Sequence, residues 1–218
     1  MRSIKNRISD CAPDLCYAIL ASIYWTIHPN IEARLIFPKD NCWTVWTPDE
    51  KWYTLRESIS RGSKSHQKTK FDRYQHGDFV FVEESDIVVD VGAFLGEFSI
   101  PASEVGTEVI AIEPDPRTFN CLKKQASKLK NVNTYQILLG EKTKEVNFKS
   151  ATDPTESSFI DVDAGDYKQI EIETKRLDDF IREIDISQID FLKIDAEGAE
   201  PEVLKGCVES LDGSGTSQ

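Results

Sequence analysis

The stretch DIVVDVGAFLGEFS, residues 86–99, decides the fold of this chain. Its first half is a continuous apolar run, which is typical of a strand buried on both faces of a parallel sheet. Asp90 lies in this run, and Gly92 and Gly96 follow where a helix would begin. Glycines at such a turn let the backbone approach a ligand, and the start of a helix offers N–H groups. The stretch therefore predicts a strand–turn–helix unit with a ligand site at the turn.

The alternation of strands and helices continues toward the C-terminus. EVIAIEP, NVNTYQILLG and QIDFLKID are the further candidate strands, and DPRTFNCLKKQASKLK is a helix with a proline near its start. The less regular part between 141 and 175 contains EVNFK and QIEIETK, which can pair as a hairpin. This order predicts an α/β fold with a doubly wound, mostly parallel sheet of four strands.

Changes in pattern divide the chain into three predicted regions. Residues 1–77 form an N-terminal accessory region of helix and short strands, 78–211 form the main domain, and 212–218 form a flexible tail. The apolar run 15–27 is short for a membrane span, so we expect a packed helix, with a membrane-surface helix or a signal segment as alternatives. The basic stretch 61–73 predicts a solvated loop or, alternatively, a loop that meets an anionic substrate group.

Charge and cysteine content narrow the class of protein. The 218 residues carry a formal net charge of −12, which disfavours a generic nucleic-acid binder. The cysteines are scattered and form no CxxC or Cys/His cluster, so the sequence predicts reduced thiols in a cytoplasmic protein and no metal site. The five are Cys11, Cys16, Cys42, Cys121 and Cys207.

A nucleoside pocket is expected at the carboxyl ends of the first two strands. Glu113 closes the second strand, where its carboxylate can accept hydrogen bonds from ribose hydroxyls. A dinucleotide site would require GxGxxG, whereas this turn reads GxxxG and follows Asp90, which would repel a pyrophosphate. A cation with an ammonium and a sulfonium fits better, and S-adenosylmethionine is such a ligand; glycines that serve only a tight turn are the alternative. The predicted cofactor-binding residues are Asp90, Gly92, Ala93, Gly96, Glu113 and Pro114.

Three stretches resemble a known family. DVGAFLGEFS (90–99), AIEPDPRTFNCLKK (111–124) and above all FLKIDAEGAEPEVLKG (191–206) resemble the FkbM-type S-adenosylmethionine-dependent methyltransferases, over residues 78–208. The resemblance implies a Rossmann-like class I methyltransferase fold and O-methylation of a hydroxyl on a sugar, glycan or secondary metabolite. Members usually continue into further strands, so we expect a C-terminally truncated sheet whose fourth strand is an open edge, unless the N-terminal strands or a second copy in a homodimer cover it.

Acidic residues at the end of the fourth strand are the catalytic candidates. Asp195 should face the cleft, and Asp195 or Glu197 could orient the acceptor hydroxyl or act as its base. Lys193 is the third catalytic candidate and is expected to pair with a carboxylate. Glu200 is expected to lie in the first turn of the next helix. The alternative is that these charges only cap the helix and tie loops together.

The sequence thus predicts an S-adenosylmethionine-dependent O-methyltransferase of glycans, sugars or small metabolites. The alternative is a catalytically impaired or truncated binding protein of the same fold. A small-molecule or glycan acceptor is the expected partner, and nucleic acid is not. Peripheral membrane contact through 15–27 is a further expectation.

Overall fold

A computed structural model describes most of the chain from the first strand onward. The described residues are 19, 23, 35–39, 42–47, 50–55, 58, 61–77, 79–151 and 167–211. The strands are β1 (Leu35–Lys39), β2 (Cys42–Trp46), β3 (Lys51–Thr54), β4 (Ile87–Val91), β5 (Glu108–Ile112), β6 (Val132–Tyr135), β7 (Leu138–Leu139), β8 (Lys144–Ala151), β9 (Tyr167–Lys175) and β10 (Phe191–Ile194). The helices are α1 (Lys64–Arg73), α2 (Ser99–Val105), α3 (Pro116–Ala126), α4 (Leu177–Glu183), α5 (Glu200–Lys205) and α6 (Val208–Leu211).

The central sheet has four parallel strands in the order β10-β4-β5-β6. This arrangement confirms the predicted α/β fold with a mostly parallel sheet. The fourth parallel strand lies beside the first, with Lys193 on β10 opposite Asp90 on β4. In the described part of the chain, β10 is one edge of this sheet.

Side chains alternate across the sheet and build a core on each face. Val88 and Val109 point to one face, where Phe98 and Leu122 pack against them. Val89, Ile110 and Ile112 point to the other face, which helix α4 covers with Leu177 and Phe180. Strands buried on both faces are the reason why their sequences read as continuous apolar runs.

The third predicted strand is shorter than expected. NVNTYQILLG was expected to be one strand, but β6 ends at Tyr135. Leu138 and Leu139 form β7, which pairs with β9 in a separate sheet of order β7-β9-β8. The chain leaves the central sheet here because Ile137, Leu138 and Leu139 turn across the carboxyl ends of the strands, where they line a cleft.

The predicted hairpin between 141 and 175 is present. Strands β8 and β9 pair in antiparallel register from Lys144 opposite Thr174 to Ala151 opposite Tyr167. The polar loop between them, with the TESSF segment at 155–159, lies outside the described residues.

A second antiparallel sheet precedes the main domain, in the order β1-β2-β3. It rests on helix α3, where the Tyr53 N–H donates to the side-chain oxygen of Gln125 at 2.8 Å. The predicted helix 15–27 lies outside the described residues apart from Ile19 and Ile23, which are helical and exposed. Within the described ranges no helix is long and apolar enough to cross a bilayer. The exact domain boundaries at 77 and 211 stay a prediction.

The prediction that all cysteines are reduced thiols is wrong for one pair. Cys42 on β2 and Cys121 on α3 form a disulfide across 79 residues of sequence. The pair could not be predicted from the sequence, because only the packing of the N-terminal sheet on α3 brings the two cysteines together. Disulfides are rare in a reducing cytoplasm, so the predicted cytoplasmic location gains no support from this bond.

The basic stretch 61–73 is not a loop. Most of it forms helix α1, which begins after Ser63, whose hydroxyl accepts from the N–H of His66. Lys70 and Arg73 lie in the last turn, where cations are favoured. Phe71 fixes the helix to the core, with its ring centroid 5.2 Å from that of Phe98. One buried aromatic residue in a polar sequence gave too weak a periodic signal to predict this helix.

Candidate active site

A cleft opens at the carboxyl ends of β4, β5 and β10. Parallel strands place the residues that follow them at one edge of the sheet, which is where ligands bind in open α/β folds. Phe148 and the 137–139 segment give the cleft an apolar wall. The lining residues at the strand ends are Gly92, Glu113, Pro114, Asp195, Ala196 and Glu197.

The glycine turn after β4 allows the loop after β10 to pack closely against it. Gly92 has a φ of +72°, and a side chain there would collide with the backbone carbonyl of Asp195. Gly96 has a φ of +82°, and a Cβ there would lie 3.0 Å from Ile100. Gly92 lines the cleft, whereas Ala93 and Gly96 are buried behind it. The first glycine is therefore required by the close approach of the β10 loop, a contact that sequence reasoning did not anticipate.

Asp90 and Lys193 form a buried ion pair beneath the cleft. Asp90 is fully buried, and its Oδ1 lies 2.8 Å from the Lys193 Nζ. The Ser99 hydroxyl donates to the other carboxylate oxygen of Asp90 at 2.6 Å. Lys193 also donates to the carbonyl of Gly92 at 2.8 Å. The expectation that Lys193 pairs with a carboxylate is confirmed, and both side chains hold the strand ends together; the catalytic and cofactor roles suggested for them stay predictions.

Glu113 is a buried carboxylate that lines the cleft. Its two oxygens accept from the backbone N–H groups of Phe94 and Asp115, each at 2.9 Å. Burial raises the pKa of Glu113 to about 8, although these two hydrogen bonds act in the opposite direction. The side chain is therefore held in place at the end of β5, with a pKa raised above neutral pH.

Asp195 is positioned by a residue that the sequence analysis missed. The Tyr74 hydroxyl, just beyond α1, donates to Oδ2 of Asp195 at 2.5 Å. Burial, together with this hydrogen bond, raises the pKa of Tyr74 above its ordinary value, so the phenol stays a protonated donor. The Tyr74 ring also lies 5.4 Å from the Lys193 Nζ and packs edge-on against Phe98. A single tyrosine 121 positions away leaves no signal in the sequence.

The remaining acidic residues of this loop have different roles. Glu200 begins α5 as predicted, and its carboxylate accepts from the backbone N–H groups of Ala196 and Gly198. Glu197 lines the cleft with a φ of +48°, unusual for a residue with a side chain. Partial burial raises the pKa of Glu197, and so do the charges of Asp195 and Glu200. Glu200 is thus a capping residue, and Glu197 stays a catalytic candidate.

Basic side chains of the stretch 61–73 form a cluster at the cleft. The sequence predicted a loop here, with contact to an anionic substrate group as one alternative, but neither the helix nor the shared partner Glu97. Arg61, His66 and Lys70 converge on Glu97, whose side chain is 9% exposed. Arg61 and Lys70 line the same cleft as Glu113 and Asp195. The basic composition of 61–73 was the available signal in the sequence. Its partner Glu97 could not be identified before the fold was known, because the two are brought together only by packing. In the described ranges, no group of three or more His, Cys, Asp or Glu side chains is arranged to hold a metal ion.

Comparison with known proteins identifies the family. The methyltransferase FkbM domain matches residues 90–214, so this chain belongs to that family. The match covers the glycine turn, Glu113 and the β10 loop, which together form the cleft. The fold is thus that of the class I methyltransferases.

Individual relatives are distant. The 2-O-methyltransferase NoeI of Sinorhizobium fredii is 23% identical over 48% of this chain and 49% of its own length. Methyltransferase 1 of Beauveria bassiana is 23% identical over 56% of this chain and 59% of its own length. Among solved structures, Pyrococcus horikoshii TYW2 in complex with MeSAdo is 19% identical over 59% of this chain and 51% of that one, with a TM-score of 0.35. The chain thus spans about half to three fifths of the length of the two curated relatives.

Proposed function

We propose that this chain is an S-adenosylmethionine-dependent O-methyltransferase that acts on a hydroxyl of a glycan, a sugar or another small metabolite. The observation that carries the proposal is that Glu113 and Asp195 line one cleft, at the ends of two strands of an FkbM-family domain. The name of NoeI, a 2-O-methyltransferase, supports oxygen as the methylated atom.

The residues of the cleft fit the nucleoside part of this cofactor. Each oxygen of Glu113 accepts one backbone N–H. When Glu113 is ionised, each carboxylate oxygen has room for a second donor, so the two ribose hydroxyls can be bound there. Ile137, Leu138 and Phe148 form an apolar wall of the kind that holds an adenine ring. Glu113 would thus hold the ribose, and the apolar wall the base.

Asp195 orients the acceptor hydroxyl and accepts its proton. When bound, S-adenosylmethionine supplies a methyl group on a sulfonium: a C–O bond forms to the acceptor oxygen while the C–S bond breaks, and its electron pair stays on sulfur. Tyr74 donates to one oxygen of Asp195, which fixes the plane of the carboxylate. An oriented carboxylate contributes both positioning and general base catalysis.

Calorimetric titration with S-adenosylhomocysteine tests the cofactor half of the proposal. We expect wild type to bind and Glu113→Gln to bind at least about tenfold more weakly, because the glutamine lacks one of the acceptor oxygens. Glu108→Gln is the matched control, since Glu108 is exposed at the opposite end of the same strand. Absence of binding by a folded wild-type chain would overturn the proposal.

Methyl transfer from labelled S-adenosylmethionine to hydroxyl compounds tests the catalytic half. Transfer that Asp195→Asn abolishes supports the enzyme. Binding of the cofactor without transfer to any acceptor would instead favour the alternative, a binding protein of methyltransferase fold.

A further inference from the structure

We propose that Arg61 and Lys70, with His66 beside them, form a subsite for an anionic group of the acceptor. Together with the proposed function, on which this step rests, the subsite assigns the acceptor to hydroxyl compounds that carry a carboxylate, a sulfate or a phosphate.

Two permanent cations and a histidine converge on Glu97. The Nε of Arg61 lies 3.0 Å from Oε1 of Glu97, and the Nζ of Lys70 lies 3.9 Å from Oε2 of the same residue. The Nε2 of His66 is 3.1 Å from Glu97 Oε1. Glu97 thus faces two permanent cations and a third group that can be protonated. Burial raises the pKa of Glu197, and the charges of Arg61 and Lys70 act to lower it, so both cations lie within electrostatic reach of a second carboxylate of the cleft.

Burial separates this cluster from an ordinary solvated helix face. The side chains of Arg61 and Lys70 are 27% and 20% exposed, whereas Lys64 and Lys68 on the same helix are 73% and 76% exposed. The chain as a whole carries a net charge of −12, so cations gathered in a cleft run against its composition. Helix α1 therefore turns three of its four lysine and arginine side chains to solvent and presents the fourth, Lys70, to the cleft beside Arg61.

The geometry of Arg61 suits an oxyanion. Its guanidinium carbon lies 4.7 Å from the centroid of the Phe94 ring, which holds the planar group in one orientation. Arg61 approaches Glu97 through Nε. The terminal nitrogens form the other edge of the guanidinium, the edge that matches two oxygens of a carboxylate, sulfate or phosphate.

The basic cluster lies in the cleft where methyl transfer is proposed to occur. Arg61 and Lys70 line the same cleft as Asp195 and Glu197. An acceptor with a hydroxyl at Asp195 and an anionic group on the Arg61 side would span the basic and acidic walls. The alternative is an ion cluster that only fixes α1 to the glycine turn.

Inorganic sulfate is the first probe, titrated by calorimetry at an ionic strength held constant with sodium chloride. We expect wild type to bind sulfate and the double variant Arg61→Gln/Lys70→Gln to bind at least about tenfold more weakly. Lys64→Gln/Lys68→Gln is the matched control, because it removes the same charge from exposed positions of α1. Equal affinity in wild type and the first double variant, or no sulfate binding by wild type, overturns the subsite. Circular dichroism checks folding, and the single variant Lys70→Gln replaces the double variant if that one is unfolded.

Methyl transfer to matched acceptors then tests whether the substrate carries an anionic group, and which one. Three sugars with similar hydroxyls serve as acceptors: glucose is uncharged, glucuronate carries a carboxylate, and glucose 6-phosphate carries a phosphate. We expect transfer to one of the two anions to exceed transfer to glucose, and the better anion identifies the group; preference for glucose overturns the assignment. If none is methylated, the sulfate titration alone decides the subsite. Titration of wild type with S-adenosylhomocysteine separately decides the proposed function.

Discussion

The phenol oxygen of Tyr74 lies 2.5 Å from Oδ2 of Asp195, although 121 residues separate the two in the chain. The contact joins the end of helix α1 to the end of β10. It gives the catalytic candidate Asp195 a fixed orientation at the edge of the cleft. An N-terminal element thereby becomes part of the site that the methyltransferase domain forms.

Replacing Tyr74 with phenylalanine should lower kcat while leaving the KM of the acceptor nearly unchanged. The variant keeps the ring contact with Phe98 but removes the hydrogen bond to Asp195. A hydrogen bond to a charged group contributes about 1.5–3 kcal/mol, so kcat should fall by about 10-fold to 100-fold. Steady-state kinetics measure both constants. Tyr53→Phe, in strand β3, is the control, and an unchanged kcat in Tyr74→Phe would contradict a positioning role.

Breaking the Asp90–Lys193 pair should destabilise the fold. Lys193→Met leaves the carboxylate of Asp90 buried without its cation, which should lower the free energy of unfolding by about 3–5 kcal/mol. Lys175→Met breaks the exposed pair with Glu183 and should cost less than about 1 kcal/mol. Urea denaturation measures both. The double variant Asp90→Asn/Lys193→Met should lose less than the sum of its single changes; an additive loss would show that the two charges do not interact.

The stability of the protein should depend on pH through Glu113. Its native pKa is about 8, against 4.5 for an ordinary glutamate, so the native state binds more protons than the unfolded state between these values. This contribution to stability is complete below the unfolded pKa and is lost as the pH rises toward about 8, at up to roughly 1.4 kcal/mol per pH unit.

Glu113→Gln removes this titration. At low pH the variant should be less stable than wild type, because its amide nitrogen must face one of the two backbone N–H donors. The difference in unfolding free energy between wild type and variant should therefore shrink as the pH rises from 5 to 8. Urea denaturation across this pH range measures it. A constant difference would indicate that Glu113 is already ionised at pH 5.

Reduction of the Cys42–Cys121 disulfide should destabilise the chain. A crosslink that spans 79 residues constrains the unfolded state, and its loss should lower the free energy of unfolding by about 4 kcal/mol. Denaturation with and without dithiothreitol measures the change. The double variant Cys42→Ala/Cys121→Ala should not respond to reductant; a response of the same size in this variant would assign the effect to other cysteines.

Local pattern was sufficient for most strands and helices of the main domain. Continuous apolar runs predicted β4, β5 and β10 because strands buried on both faces have no polar side to interrupt them. The same logic placed Glu113 and Asp195 after two of these strands, and both line the cleft. The pattern failed for helix α1, where a largely polar helix has no periodic apolar stripe. It also failed for β7, which begins three residues after the end of β6 and belongs to a different sheet.

The sequence by itself determined the fold class, the family and the strand ends at which chemistry is expected, because these depend on residues close together in the chain. Only the tertiary structure decided which distant residues meet there. Tyr74 reaches Asp195, Cys42 reaches Cys121, and Arg61 reaches Glu97. Each of these contacts joins the N-terminal region to the methyltransferase domain, and they form only because packing brings the two together. A linear pattern records spacing along the chain, whereas a binding site depends on distances in space.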